Sequence, residues 1–297
     1  MKSEGPLVSV VIPCYNHEQF VQDSIQSVID QTYKNIELII IDDGSKDGSV
    51  EKIQEMVDIC EQRFARFEFR SRSNQGLSST LNESLEWCQG KYFSAIASDD
   101  MMLSEKTKIQ VSYMEKEINI NALFGSADYI DEKNNKKTNI CLEKKEYTFN
   151  KIILNECSFY APTQMLRLSA VKEVGCYKPD ILVEDWYMWL KLSEKGKVYC
   201  LSEKLALYRV HSSNATRNSQ FIYDNNLKTL EIYKDHKLYA KAYAKLRWTY
   251  IIWIGQENKK ESFNLLCKYI RQYPKQIFSR NFLVYNKYFF RRIKDWY

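Results

Sequence analysis

Four short stretches of this chain carry side chains that could do chemistry. "SAIASDD" (94–100) is an apolar run closed by two adjacent carboxylates, Asp99 and Asp100. Like charges side by side repel and resist burial, so an acid pair at the mouth of a buried strand calls for a cation or a ligand's donor groups opposite it. Carboxylates are the hard oxygen ligands that Mn²⁺ and Mg²⁺ take, and those ions complete their shell with water and substrate phosphates. "DDGSKDGS" (42–49), taken alone, is a turn with a helix cap. The recurrence of an acid pair at a second strand end makes it part of a candidate site. "VEDW" places Glu184 and Asp185 at the start of an amphipathic helix, where the helix dipole favours a carboxylate; the pair reads equally as surface decoration or as a general base. "YRVHSSN" carries Arg209 and His211, one of only three histidines.

The elements that must position these residues alternate. "LVSVVI" (7–12) is a β-branched run, and Asn16 follows as a candidate N-cap for a helix reaching about Thr32, with Val21, Ile25, Val28 and Ile29 at helical spacing. "IELIII" (36–41) is apolar on nearly every residue, as a strand covered on both faces should be. A helix over 49–59, a strand at "FEFR", a helix through Leu77, Leu81, Leu85 and Cys88, and a strand at "KYFSAIA" follow. This β-α-β alternation predicts an α/β fold, a mostly parallel Rossmann-like sheet flanked by helices, with ligands bound beyond the carboxyl ends of the strands. "PCYN", "DDGS" and "SDD" would then share one edge. Further on, "ALFGSADYID" reads as a strand, "DEKNNKKTN" as an exposed loop, and "VEDWYMWLKLSEKG" as a helix with Trp186, Trp189 and Leu190 inward. From about Ile222 the pattern is helical and aromatic, which predicts a domain over 1–215 and a helical, basic-aromatic region over 216–297.

Composition narrows the function classes. With 44% hydrophobic residues the chain can bury a large core, and a net charge of +5 without an arginine-rich arm or zinc-finger spacing argues against nucleic acid as a partner. Eight scattered cysteines with no C-x-x-C pair read as reduced, buried thiols of a cytoplasmic protein. "MKSEGPLVSVVIPCYN" has too short an apolar run for a secretory signal, and no window reaches the roughly 20 apolar residues of a spanning helix, so membrane contact is expected to be peripheral.

In order and spacing, "VSVVIPCYNHEQFVQDSIQSVIDQTYKNIELIIIDDGSKDGS", "NQGLSSTLNESLEWCQGKYFSAIASDD" and "EDWYMWLKLSEKG" resemble the family 2 glycosyltransferases. The resemblance covers about residues 7–215. It implies a GT-A fold, a nucleotide-sugar donor, a divalent cation (Mn²⁺ or Mg²⁺) and inversion at the anomeric carbon. Carried onto this chain, Pro13 and Tyr15 would flank the base and Asp43 would bind its edge, with Asp42 a weaker candidate. Arg72 would lie near the nucleotide, Asp99 would accept from ribose or sugar hydroxyls, and Asp100 would hold the metal. Asp185 would be the base, Glu184 would orient it or an acceptor hydroxyl, His211 would reach the metal or pyrophosphate, and Arg209 would help bind the donor. Two positions depart from the family pattern, Ala97 where many relatives have Asp and Leu81 where they often have Arg, so fewer groups hold the donor.

The expected activity is transfer of a sugar, from a UDP-sugar before other donors, to a saccharide acceptor, lipid-linked, in capsule, O-antigen or related polysaccharide synthesis. The alternatives are a degenerate member that binds a nucleotide sugar or a partner without transfer, and a receiver-like phosphoacceptor domain, which the second acid pair and the long tail fit poorly. Residues 268–297 mix Lys and Arg with aromatics, which reads either as a packed helical cap or as a peripheral contact on the cytoplasmic face of the inner membrane.

Overall fold

The computed structural model describes residues 5–140, 142–212, 214 and 218–289. The chain divides into two compact units, Met1–Ser212 and Ser213–Tyr297.

The first unit is built on β1 (Val8–Cys14), α1 (Val21–Ile29), β2 (Ile36–Asp42), α2 (Ser49–Gln54), α3 (Val57–Arg63), β3 (Arg66–Ser71), α4 (Leu77–Trp87) and β4 (Tyr92–Ala95). It continues through β5 (Met101–Met102), α5 (Lys106–Lys116), β6 (Ile120–Ile130), β7 (Lys136–Ile140), β8 (Lys145–Tyr147), α6 (Phe149–Ile153), β9 (Met165–Arg167), α7 (Leu168–Glu173), α8 (Glu184–Ser193) and β10 (Lys197–Arg209). One sheet of ten strands runs β3-β2-β1-β4-β9-β6-β10-β5, with β7 beside β6 and β8 beside β10.

The sheet is parallel from β3 to β4, where short helical crossovers return each strand in the same direction. Beyond β4 it becomes mixed: β9 is antiparallel to both β4 and β6, and only β10 and β6 pair in parallel. The expected "mostly parallel" sheet therefore holds for the first four strands. Val8, Val10, Ile12 and Cys14 of β1 pack with Val21, Ile25 and Val28 of α1 and with Leu38 and Ile40 of β2 in one core. Full burial of such side chains stabilises by roughly 1.5–3 kcal/mol each, which makes this half rigid enough to carry a site at its rim.

Several local expectations change. Helix α1 starts at Val21, because Asn16 sits in the left-handed region at φ 55° and its amide side chain accepts from Lys46 N at 2.7 Å instead of capping a helix. The expected 49–59 helix breaks at Met56 into α2 and α3. The lysine-rich loop is shorter than expected: Asp131 gathers the backbone N–H groups of Lys133 and Asn135 into a tight turn, and β7 begins at Lys136.

The second unit is helical: α9 (Ser219–Glu231), α10 (Tyr239–Glu257), α11 (Lys259–Gln272), a 3₁₀ turn (Pro274–Phe278) and α12 (Arg280–Phe289). Its core is Trp248, Ile251, Leu266, Tyr269 and Tyr285, with Tyr223 stacked on Tyr250 at 4.3 Å. Among the described residues no helix is long and apolar enough to cross a membrane. Seven described cysteines are free thiols. Cys14, Cys60, Cys88 and Cys200 are buried, while Cys157, Cys176 and Cys267 are half-buried, more open than expected because they sit outside the strands and core helix faces. Cys141 and residues 290–297 of the basic tail lie outside the described residues.

Candidate active site

The register aligns the strand tips. Cys14 pairs with Asp42, and Asp42 with Ser71, so "PCYN" and "DDGS" leave the sheet at one level. β4 is shorter than expected, and the chain turns at Ser98 and Asp99, with Asp100 N donating to Ala97 O at 3.1 Å, which brings Asp100 against β10.

Three donors converge there. His211 Nε2 lies 2.8 Å from Asp99 Oδ2, His17 Nε2 lies 4.0 Å from the same oxygen, and one ligand atom from each of the three residues falls within 4.8 Å of the others. His17 Nδ1 is 2.8 Å from Ser98 Oγ, a contact that fixes the ring and leaves Nε2 toward Asp99. Burial pushes the Asp99 carboxyl up, but the His211 hydrogen bond and the two imidazoles outweigh it and hold the group below its ordinary value. Burial lowers the pKa of His17 despite Asp99, favouring the neutral imidazole that a metal needs. Two imidazoles and a carboxylate fit a divalent cation, and better Mn²⁺ than Mg²⁺, which prefers oxygen.

Asp100, expected to be the metal acid, lies outside that group. Its Oδ1 accepts from the backbone N–H of Arg209 at 2.8 Å, and burial together with the charge of Asp99 raises its pKa well above the ordinary range. Asp99 thus faces the histidines, and Asp100 ties the segment to β10. Arg209, expected to help bind the donor, already has several partners. It is fully buried, with Nε donating to Asp99 O at 2.7 Å, Nη2 to Asp23 Oδ2 at 3.1 Å and Nη1 to Asn134 Oδ1 at 2.6 Å, and it lies over the Phe20 ring. It braces the Asp99 backbone.

The "DDGS" acids bind their own loops, although Asp42 Oδ1 is buried with no hydrogen-bond partner among the described residues. Asp42 is fully buried, and its Oδ2 accepts from Gly44 N, Ser45 N and Ser71 Oγ, each at 3.1 Å. Gly44 stands at φ +77°, and a Cβ there would come within 2.7 Å of Asn74 N, so only glycine lets this loop lie against residues 72–74. Asp43 accepts from Gln75 N and Gly76 N, both at 2.8 Å, and pairs with Arg72, which also holds Glu83 at 2.6 Å and Thr80 at 3.0 Å. Asp43 and Arg72 therefore shape the 72–76 loop. Pro13 is half-buried at the end of β1, and Tyr15 is 46% exposed, an open aromatic face.

The last acids enter on α8. Trp186 Nε1 donates to Ile152 O at 2.9 Å, and Trp189 packs against Phe124 and Phe159, so the apolar face of the helix is anchored and its first turn is presented to the cleft. Burial pushes Asp185 up to about 6. Burial and the adjacent Asp185 charge raise Glu184 well above its ordinary value, which favours its neutral form beside Asp185. The charge of Asp185 also adds to the upward shift of Asp100, so the two motifs, distant in sequence, lie near enough to interact.

Sequence reasoning missed three supports. His17 was legible, as a scarce residue at the tip of β1. Ser78 Oγ donates to Ile181 O at 2.6 Å, and Asn82 clasps both backbone groups of Tyr177 at 2.8 and 2.9 Å. These contacts tie the segment leading into α8 to α4, and no local pattern announces them.

Residues 9–175 match the model of "Glycosyl transferase family 2". The chain is 29% identical over 244 residues to the Escherichia coli UDP-Glc:alpha-D-GlcNAc-diphosphoundecaprenol beta-1,3-glucosyltransferase WfaP, covering 80% of this chain and 92% of that protein. It is 28% identical over 240 residues to an uncharacterized glycosyltransferase of Rickettsia bellii, covering 80% of this chain but only 34% of the longer relative. Among solved structures, Staphylococcus aureus TarS 1–349 in complex with UDP-GlcNAc superposes with a TM-score of 0.64 at 16% identity, covering 81% of this chain and 70% of that one. The mannosyltransferase PcManGT of Pyrobaculum calidifontis, in complex with GDP-Man and Mn²⁺, gives 0.64 at 11% identity over 97% of this chain and 84% of that one. At such identities the likeness speaks for the fold, which is the GT-A type with a helical C-terminal region.

Proposed function

The chain belongs to glycosyl transferase family 2, and from that premise we propose that it is an inverting transferase moving a sugar from a UDP-sugar to a hydroxyl of a lipid-linked saccharide in surface-polysaccharide synthesis. Residues 1–215 carry this chemistry. The observation behind the reading is the placement of Asp185: a carboxyl raised to about 6 by burial at the start of α8, near enough to the strand-tip acids for its charge to be felt at Asp100.

In this reading the exposed ring of Tyr15, with Pro13 beside it, receives the nucleotide base, and the loop shaped by Asp43 and Arg72 lines the same end of the cleft. Above about pH 6 Asp185 is ionised and takes the proton of the acceptor hydroxyl as that oxygen bonds to the anomeric carbon. The bond from the same carbon to the diphosphate oxygen breaks in the same step, its electron pair leaving with the nucleoside diphosphate. Attack from the face opposite the leaving group inverts the configuration. Glu184, the buried acid beside it, keeps the base aimed. Asp99, His211 and His17 would hold a divalent cation, Mn²⁺ ahead of Mg²⁺. Bound there, it supplies positive charge to the departing diphosphate. That WfaP is named for a UDP-glucose donor and a diphosphoundecaprenol-linked acceptor supports the substrate class.

The test is incubation with UDP-glucose, Mn²⁺ and a synthetic GlcNAc-diphospholipid, reading the product anomer by proton NMR. A β-linked product is expected from the α-linked donor. An α-linked product overturns inversion, and nucleotide binding without transfer from any UDP-, GDP- or dTDP-sugar overturns the catalytic reading in favour of a binding protein.

A further inference from the structure

The second unit leaves large apolar side chains in water at one corner. Phe278 is 86% exposed and Leu283 68%, and Tyr273 and Ile277 are exposed around them. The corner is built, not frayed: Trp248 Nε1 donates to Gln276 Oε1 at 2.9 Å, Ser279 Oγ accepts from Phe282 N at 3.2 Å, and Tyr269 and Tyr285 are buried beneath. With the inner side of the turn filled by that core, Phe278 and Leu283 project outward. Cations surround them. Between Ser262 and Phe289 the sequence has Lys268, Arg271, Lys275, Arg280 and Lys287 and no Asp or Glu, and all five cations are exposed.

We propose that residues 271–283 dock on an anionic bilayer surface, with Phe278 and Leu283 entering the headgroup region and Arg271, Lys275 and Arg280 set against lipid phosphates. Charge decides the occupant. A second copy of the same patch would bring like charges face to face, whereas a lipid surface of opposite sign neutralises them while taking up the apolar tips. The inference is independent of the transfer reaction, since none of these residues belongs to the site at the strand tips.

The experiment is co-sedimentation of the full chain with vesicles of phosphatidylcholine alone and of about 3:1 phosphatidylcholine to phosphatidylglycerol. Binding is expected only to the anionic vesicles and should weaken as salt is raised. Phe278→Asp with Leu283→Asp should lower it by about tenfold or more, and Arg271→Gln, Lys275→Gln and Arg280→Gln by about fivefold for each cation removed. These residues are exposed, so the variants should melt like the parent and bind UDP as it does. Equal binding to neutral vesicles, or undiminished binding by both variants, overturns the proposal. So does a parent that is a dimer by light scattering and becomes a monomer on Phe278→Asp, because the patch would then cover another copy.

Discussion

The acid pair Asp42–Asp43 and the acid pair Glu184–Asp185 are both largely covered by the fold, yet they meet opposite surroundings. The first pair is met by donors: five hydrogen bonds from backbone N–H groups and a serine hydroxyl, together with the Arg72 ion pair. The second is met by another carboxyl, and its pKa values rise. Burial alone therefore says little about an acid's role. Donors turn a buried carboxylate into a structural strut, and their absence turns it into a base with affinity for a proton near neutrality.

The comparison breaks most sharply at Asp185. Asp185→Asn is expected to lower turnover by about 10³–10⁴ while UDP binding by calorimetry stays within about twofold; parental turnover would show that the wrong acid has been assigned. In the first pair, Asp42→Ala should cost about 3 kcal/mol in urea unfolding, since Gly44 N, Ser45 N and Ser71 Oγ lose their acceptor. A loss under about 0.5 kcal/mol would deny it the role of strut.

Asp99→Ala should weaken Mn²⁺ binding, read by EPR, by about 100-fold, and Asp100→Asn by much less, because only Asp99 faces the two histidines. The reverse ranking would restore Asp100 as the metal acid. The smallest effect sharpens the contrast. Asp185 is raised from 3.8 to about 6, so the folded state holds its proton more tightly than the unfolded chain, and the charged group costs stability in full above about pH 6, a cost that fades toward pH 4. Asp185→Asn should therefore raise the Tm by about 2–4 °C at pH 8 and by less at pH 5, the opposite sign to Asp42→Ala. The parent's turnover should rise with pH through a midpoint near 6.

Much of the scaffold was legible because β-branched runs and turn residues act locally. "IELIII" could only be a strand covered on both faces, and the three polar motifs could only sit at strand ends once β1, β2 and β4 were parallel. Boundaries slipped where a long-range contact outbid a local preference, as when Lys46 took the side chain of Asn16 and left α1 to start later. The mixed second half escaped because antiparallel pairing of β9 with β4 and β6 joins segments with no shared pattern.

Residue types and spacing marked the strand-tip acids, and the family resemblance read from the same sequence singled out the "VEDW" pair and His211. Tertiary structure alone decided which side chains already have partners. Arg209 and Asp42 look like ligand groups on paper, and only the packing shows the carbonyls and N–H groups that already occupy them. The physical reason is that a polar group's availability depends on what its neighbours in space donate or accept, and those neighbours are set by a fold that brings residue 99 to residue 211.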